Sequence, residues 1–354
     1  MSITANKSGL VENHERLGHY RVLYVERTGR VWASRGYRLF YSDDHGLSFK
    51  FRAAYRAEWW REAAKTNRLS WRLIRGGFLN MIPLPDGSLV ASVRSLILHA
   101  EPDEINLRPV LRRPGRTFRF ELLPNGTIYT GEYFNNRDRT SVQVFTSKNG
   151  GKDWSVCYEF APGEIRHVHS VRYDPFTGKL IILTGDYGSE CKILLASADF
   201  QETDRLMEGV QQARAYNVIP KPEGFYLSTD TELEQNYIQI LKRNGDLERL
   251  VPIAGSGLGA CSASEILFFA SAAEPSRVNL DPRPTLYGSR DGMHWEVVAR
   301  WTADRVSYRA SWKAALFQIP RIIMPDGLYS NEYLFVTPIG VRKDNGILHR
   351  WKLK

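Results

Sequence analysis

A short turn motif recurs along the chain, each time closing a strand-like run. Ser42-Asp43-Asp44-His45-Gly46-Leu47-Ser48-Phe49 reads S-x-D-x-G-x-S-F, and Ser147-Lys148-Asn149-Gly150-Gly151-Lys152-Asp153-Trp154 reads S-x-N-x-G-x-D-W. Ser289-Arg290-Asp291-Gly292-Met293-His294-Trp295 is the same pattern shortened by one residue, and Ser197-Ala198-Asp199-Phe200 is a degenerate copy. The runs they close include Arg38-Leu-Phe-Tyr41 and Val142-Gln-Val-Phe145. The chemistry is that of a hairpin. The Asp or Asn side chain bonds backbone N–H groups two residues on, the Gly takes a positive φ, and the closing aromatic packs inward. Copies this far apart mark a repeated β unit.

A second phrase sets the period: an apolar run, a Pro/Asp/Asn-Gly turn and a further strand. It occurs at Phe78–Gly87, Phe118–Gly126, Val171–Gly178, Val218–Gly224 and Ile319–Gly327, with Tyr20–Gly29 and Ala260–Phe268 as looser copies. Units starting near 20, 78, 116, 166, 214, 259 and 317 span 297 residues in six steps, about 50 each. That length suits a four-stranded blade. The turn motif resembles the Asp-box (BNR) repeat of the sialidase superfamily. The resemblance implies an all-β propeller with the box between the third and fourth strands of a blade. Seven blades is the expectation, six the fallback, as one domain over residues 1–354. Between the first two blades, Tyr55, Trp59 and Ala63 recur at four-residue spacing within 53–72, which predicts one short amphipathic helix. A helix capping the first blade with its tryptophans buried is the expected arrangement there; a membrane-surface or partner helix is the alternative.

Composition excludes several classes. Hydrophobic residues at 43% and charged residues at 25% of 354 are those of a globular chain. No apolar run reaches the roughly 18 residues of a membrane span. Met1–Lys7 lacks an apolar segment with a cleavage site, so no secretory signal is read and a cytoplasmic location is expected. Three distant cysteines, Cys157, Cys191 and Cys261, do not form a disulfide framework. A net charge of +9 favours an anionic partner. Without a Lys/Arg-rich run or zinc-finger spacing, nucleic acid is not the expected one.

In a propeller, the starts of the first strands and the links between second and third strands converge on one face. The first set contributes Arg75, Arg116, Arg119, Arg166, His167, His169 and Arg214. The second contributes Glu132, Tyr133, Asp186, Tyr187, Glu190, Asp230, Glu234, Asn236 and Tyr237, with Glu274 from a later link. Arginine suits a bidentate grip on carboxylate or sulfate, so Arg116, Arg166 and Arg214 point to an anionic carbohydrate, with Tyr187, Asn236 and Tyr237 contacting the sugar. His167 and His169 lie two apart on a strand and share a side. They read as acid and base, as a metal-ligand pair or as hydrogen-bonded wall residues; no metal or cofactor is expected. Asp186, Glu190, Asp230 and Glu234 are candidate acids or counter-charges.

Gly131-Glu-Tyr133, Arg166-His-Val-His169, Thr184-Gly-Asp186, Gly188-Ser-Glu-Cys191, Glu234-Gln-Asn-Tyr237 and Glu274-Pro-Ser276 resemble phrases of BNR-repeat, sialidase-like glycosyl hydrolases found among bacterial polysaccharide genes. The resemblance implies glycosidic cleavage. The superfamily uses a tyrosine nucleophile helped by an acid, roles open to Tyr133 and Glu132, although neighbours on a strand point opposite ways. The early Arg-Ile-Pro phrase of true sialidases is absent; Gln318-Ile-Pro-Arg321 lies near the C-terminus, so a three-arginine carboxylate clamp does not map position by position. Propeller polysaccharide lyases, which pair His with Tyr and neutralise a uronate with Arg, are the second comparison. Hydrolysis is expected over β-elimination, and a non-catalytic glycan- or protein-binding propeller is the alternative.

Overall fold

Each of seven antiparallel sheets in the computed structural model has four strands. The structure describes residues 8–64, 67–74, 76–113, 115–304, 318–327 and 332–354. Six sheets are simple meanders in chain order. Their innermost strands are Arg21–Val25, Asn80–Pro83, Glu121–Leu122, His167–Tyr173, Ala215–Lys221 and Gly257–Ala263. The seventh starts at Arg321–Ile323 and ends on a strand from the other terminus. Val11–Arg16 pairs with His349–Leu353, Val11 opposite Leu353 and Arg16 opposite His349. The ring closes by strand pairing, which covers an edge that would otherwise template aggregation. The seven-bladed expectation holds.

Second and third strands read as near-continuous apolar runs because neighbouring blades cover both of their faces. Leu89–Val93, Leu180–Gly185, Lys192–Ala196 and Ile266–Ser271 are buried throughout, whereas the outer strand Thr203–Glu208 is exposed or half-exposed. The core is therefore a ring of clusters between sheets.

The recurring turns lie between third and fourth strands in blades 1, 3, 4 and 6. In the first, Asp44 Oδ1 accepts from the Ser42 hydroxyl (2.7 Å) and the Ser48 N–H (2.9 Å), and Ser42 Oγ accepts from Gly46 N (2.7 Å). Asn149, Asp199 and Asp291 repeat the pattern. Trp154 and Trp295 each donate their indole N–H to the turn's own glycine carbonyl, at 3.0 and 2.9 Å. Gly151 has φ +82°, and a Cβ there would run into Val90 of the preceding blade, so only glycine seats this hairpin against its neighbour.

The insertion after blade 1 departs from expectation. Ala53 belongs to the outer strand Lys50–Ala54, and two short helices, α1 (Trp59–Ala63) and α2 (Arg68–Leu73), replace the single one. Trp71 packs edge-on to Tyr37, with ring centres 5.5 Å apart, but Trp59 is 81% exposed and Trp60 42%. Arg61 takes the inward position instead: it is buried, pairs with Glu58 at 2.8 Å and lies 3.9 Å over the Trp60 ring. Among the described residues no helix is long and apolar enough to cross a membrane.

Candidate functional site

Inner-strand starts and second-to-third links meet at one end of the ring around a cavity of about 620 Å³. Seven arginines line it among the described residues: Arg21, Arg61, Arg94, Arg116, Arg166, Arg214 and Arg321. Four carboxylates face them: Asp186, Asp230, Glu232 and Glu274. Three environments divide this lining.

Asp186, just beyond the second strand of blade 4, is a hub. Arg166 Nη1 donates to its Oδ2 at 2.9 Å, and Arg214 Nη2 lies 3.5 Å from Oδ1. His169 Nε2 and His167 Nε2 approach the same Oδ1 at 3.2 and 3.4 Å and stand 3.0 Å from each other. Burial alone would raise the Asp186 carboxyl, but the two imidazoles outweigh it and hold the group far below the usual carboxylate range. Burial lowers His167, against the pull of Asp186. For Arg214, burial works against the charge, while Asp230 and Asp186 more than offset it and keep the guanidinium charged. Tyr133 stacks on His167, ring centres 4.0 Å apart, and separates the histidines from the open cavity. Burial, then the charge of Asp186, pushes its phenol well above the ordinary value.

Arg21, Arg116 and Arg321 come from blades 1, 3 and 7 and have a different environment. Among the described residues none has a carboxylate within ion-pair distance, and the one side-chain bond of Arg21 is to the Leu79 carbonyl at 3.3 Å. Burial, then the charge of Arg321, pulls Arg21 down to about 9; burial, with Arg321 again opposing, lowers Arg116. The Nε groups of Arg21 and Arg321 are buried without a partner. Deeper in the channel the pattern reverses. Arg119 pairs with Asp326, and Arg172 pairs with Glu121 at 3.0 Å. Tyr216 stands between these layers, its phenol pushed up to about 12 by burial against the influence of Arg321 and Arg119.

Asp230 and Glu274 form the third environment. Desolvation raises both carboxyls, and the charge of Asp230 adds to the rise of Glu274, which reaches about 7 while accepting from Ser256 Oγ at 3.1 Å. Beside them Tyr187 donates its hydroxyl to Glu232.

Of the residues expected from sequence, Arg116, Tyr133, Arg166, Asp186, Tyr187, Arg214, Asp230 and Glu274 line the cavity. His167 and His169 sit buried behind it. The others point elsewhere. Glu132 turns between blades and accepts from the Gln143 N–H at 3.0 Å, because the pleat sends it opposite Tyr133. Glu190 is taken up by Arg139 and Glu234 by Gln212. Asn236 is wholly buried, bonding Thr229, Thr231 and Asn279 to brace the 231–236 loop. Tyr237 lies under Arg249, 5.1 Å away. Arg75 falls outside the described residues. Burial lifts the Cys157 and Cys191 thiols to about 11 and 12, which suits packed rather than nucleophilic groups. Arg21, Arg94, Tyr216 and Arg321 were not anticipated, although two of them open inner strands whose starts the repeat had already located.

No family model matches the chain, and comparison with curated proteins gives no match. Solved structures do match. A structure described as YCF48 bound to D1 peptide aligns over 100% of both chains with TM-score 0.58 and 14% identity. YCF48 from Cyanidioschyzon merolae aligns over 96% of this chain and 99% of its own, with TM-score 0.53 and 12% identity. The WD40 propeller domain of Doa1 aligns over 99% and 97%, with TM-score 0.55 and 12% identity. At such identities the likeness is one of fold.

Proposed function

We propose that the cavity receives a carboxylate-bearing sugar of an acidic glycan and that its walls cleave the adjoining glycosidic bond by hydrolysis. The observation that carries this reading is the trio Arg21, Arg116 and Arg321. Three guanidinium groups from three blades converge without an acid, while the arginines just below them are each paired. Such an arrangement is self-repulsive until an anion enters, and planar guanidinium forks match a carboxylate. The Ser–Asp/Asn–Gly–aromatic hairpins support a kinship with Asp-box, sialidase-like propellers, and Arg321 follows the Ile-Pro of Gln318-Ile-Pro-Arg321.

The opposite wall supplies the chemistry. Glu274 keeps its proton up to about pH 7 and so suits donation to the leaving glycosidic oxygen. Water adds to the anomeric carbon, and its surplus proton returns to the Asp230–Glu274 pair. Elimination fits less well. It needs a base at the carbon beside the carboxylate, whereas Tyr133 and Tyr216 are held protonated and the histidines lie behind Tyr133. Incubation with uronate- and nonulosonate-containing glycans separates the outcomes. New reducing ends without the absorbance of an unsaturated uronate support hydrolysis, that absorbance indicates a lyase, and neither across a broad panel defeats the reading.

A second reading is a non-catalytic platform whose arginines grip a carboxylate of a peptide or glycan. The described complex of YCF48 with a peptide and the exposed Trp59 and Trp60 beside the rim favour it. Glu274→Gln discriminates: an enzyme keeps glycan binding and loses turnover, whereas a platform has no turnover to lose.

A further inference from the structure

The histidine pair behind Tyr133 converges with a carboxylate in a geometry that suits a bound cation. His167 Nδ1 lies 3.1 Å from the Phe134 carbonyl and His169 Nδ1 lies 2.9 Å from the Ala215 carbonyl. A carbonyl oxygen only accepts, so both Nδ1 atoms carry a ring hydrogen, and each ring in its neutral form presents its lone pair at Nε2. Those lone pairs face each other at 3.0 Å, and Asp186 Oδ1 completes a triangle at 3.2 and 3.4 Å. When the rings are neutral, three electron-pair donors converge on one point.

We propose that His167 Nε2, His169 Nε2 and Asp186 Oδ1 bind a divalent first-row transition ion, zinc or a close relative. The geometry suits one. A circle of about 1.9 Å radius passes through the three atoms, so an ion at the roughly 2.0–2.1 Å of a zinc–imidazole or zinc–carboxylate bond sits just off their plane. All three ligands then fall on one side of the ion. Two imidazoles and one carboxylate form a donor set that zinc, manganese and iron accept. The surroundings are those of a ligand shell. Each imidazole is oriented by a carbonyl on its far nitrogen, and Asp186 Oδ2 is held by Arg166 at 2.9 Å, which aims Oδ1 at the histidines. Arg166 and Arg214 oppose a further cation, but Asp230, whose charge acts on both Arg214 and His169, offsets part of that repulsion. Sequence showed the strand pair; the third donor comes from the link after the second strand of the same blade. This site does not depend on the glycan reading.

The test uses the full chain, stripped with a chelator and titrated with zinc chloride and cobalt chloride. One ion per chain is expected, with the visible absorbance of low-coordinate cobalt and an anomalous peak between the three side chains in crystals. Asp186→Asn should weaken binding more than about tenfold and His169→Ala should abolish the stoichiometric ion. Asp186→Asn preserves size, so it serves if the alanine variant does not fold. Less than about a tenth of an ion per chain at saturating zinc overturns the proposal. So does one ion per chain retained in His169→Ala, or unchanged affinity in Asp186→Asn, either of which would place the ion elsewhere; the three atoms would then share a proton.

Discussion

Replacing Arg21 with methionine separates stability from binding in opposite directions. At pH 7 this guanidinium is charged both folded and unfolded, so the penalty that pulls it from 12.5 to about 9 is present in full. It would be relieved only as pH rises through about 9. That depression corresponds to about 5 kcal/mol, and cavity water and relaxation reduce it to about 2 kcal/mol. Losing the bond to Leu79 costs about 1 kcal/mol, and methionine fills similar space. The net is a gain of about 1 kcal/mol. With about 2.1 cal/mol/K per residue over 354 residues, that raises Tm by about 1–2 °C. Ligand reverses the order. Glucuronate at about 100 times its Kd stabilises the wild type by about 2.7 kcal/mol, or about 3–4 °C. Removing a charge-assisted contact of about 1.5–3 kcal/mol shrinks that shift in the variant to below about 2 °C. Scanning calorimetry with and without glucuronate, with glucose as the neutral control, reads both effects. A variant that melts lower without ligand and keeps the full glucuronate shift would refute the clamp.

Three further outcomes are expected. Glu274 has its folded pKa raised to about 7 against an ordinary 4.5, so its contribution is complete below about pH 4.5 and disappears as pH rises to about 7; urea titrations should show stability falling by about 1–3 kcal/mol across that window, and Glu274→Gln should flatten the fall while abolishing turnover. Gly151→Ala should cost about 2–4 kcal/mol, combining its positive φ with the collision against Val90, whereas Gly126→Ala, at φ +83° in open space, should cost about 1 kcal/mol in the same assay. Deleting residues 1–16 strips the strand paired with His349–Leu353, and light scattering should show concentration-dependent aggregation with a lowered Tm; an unchanged profile would mean that closure does not hold the ring.

The blade period was legible because each blade is one local unit, its turn chemistry written in consecutive residues such as Leu123-Pro124-Asn125-Gly126. The hairpins were legible for the same reason, since Ser42, Asp44 and Gly46 bond one another. What lay beyond reach was long-range. Whether Glu132 or Tyr133 faces the axis is decided by packing against blade 4, where Val168 N donates to the Glu132 carbonyl at 2.8 Å. The acid-rich stretch after Asp230 divides in a way composition cannot foresee: Asp230 and Glu232 reach the cavity, while Asn236 turns inward to brace the loop. In the insertion, four-residue spacing suggested one helix with its tryptophans inward, but a buried Arg61 paired to Glu58 displaced Trp59 to solvent.

Arg321 shows why linear position misleads in a closed ring. Ile319-Pro-Arg321 was discounted for lying near the C-terminus, where an early arginine phrase is out of order. Pairing of Val11–Arg16 with His349–Leu353 makes blade 7 the neighbour of blade 1, so Arg321 and Arg21 are adjacent despite 300 intervening positions. The net charge of +9 favoured an anion without saying where one would sit. The discriminating quantity is pairing, not charge. Arg119 and Arg172 are as buried as Arg21, yet each has a carboxylate and together they form a closed ionic floor with Glu121 and Asp326. A buried guanidinium left without such a partner carries a penalty of several kcal/mol. One unpaired arginine is an accident of packing; three on separate blades, above a layer whose arginines are paired, are what supports the proposed anion site.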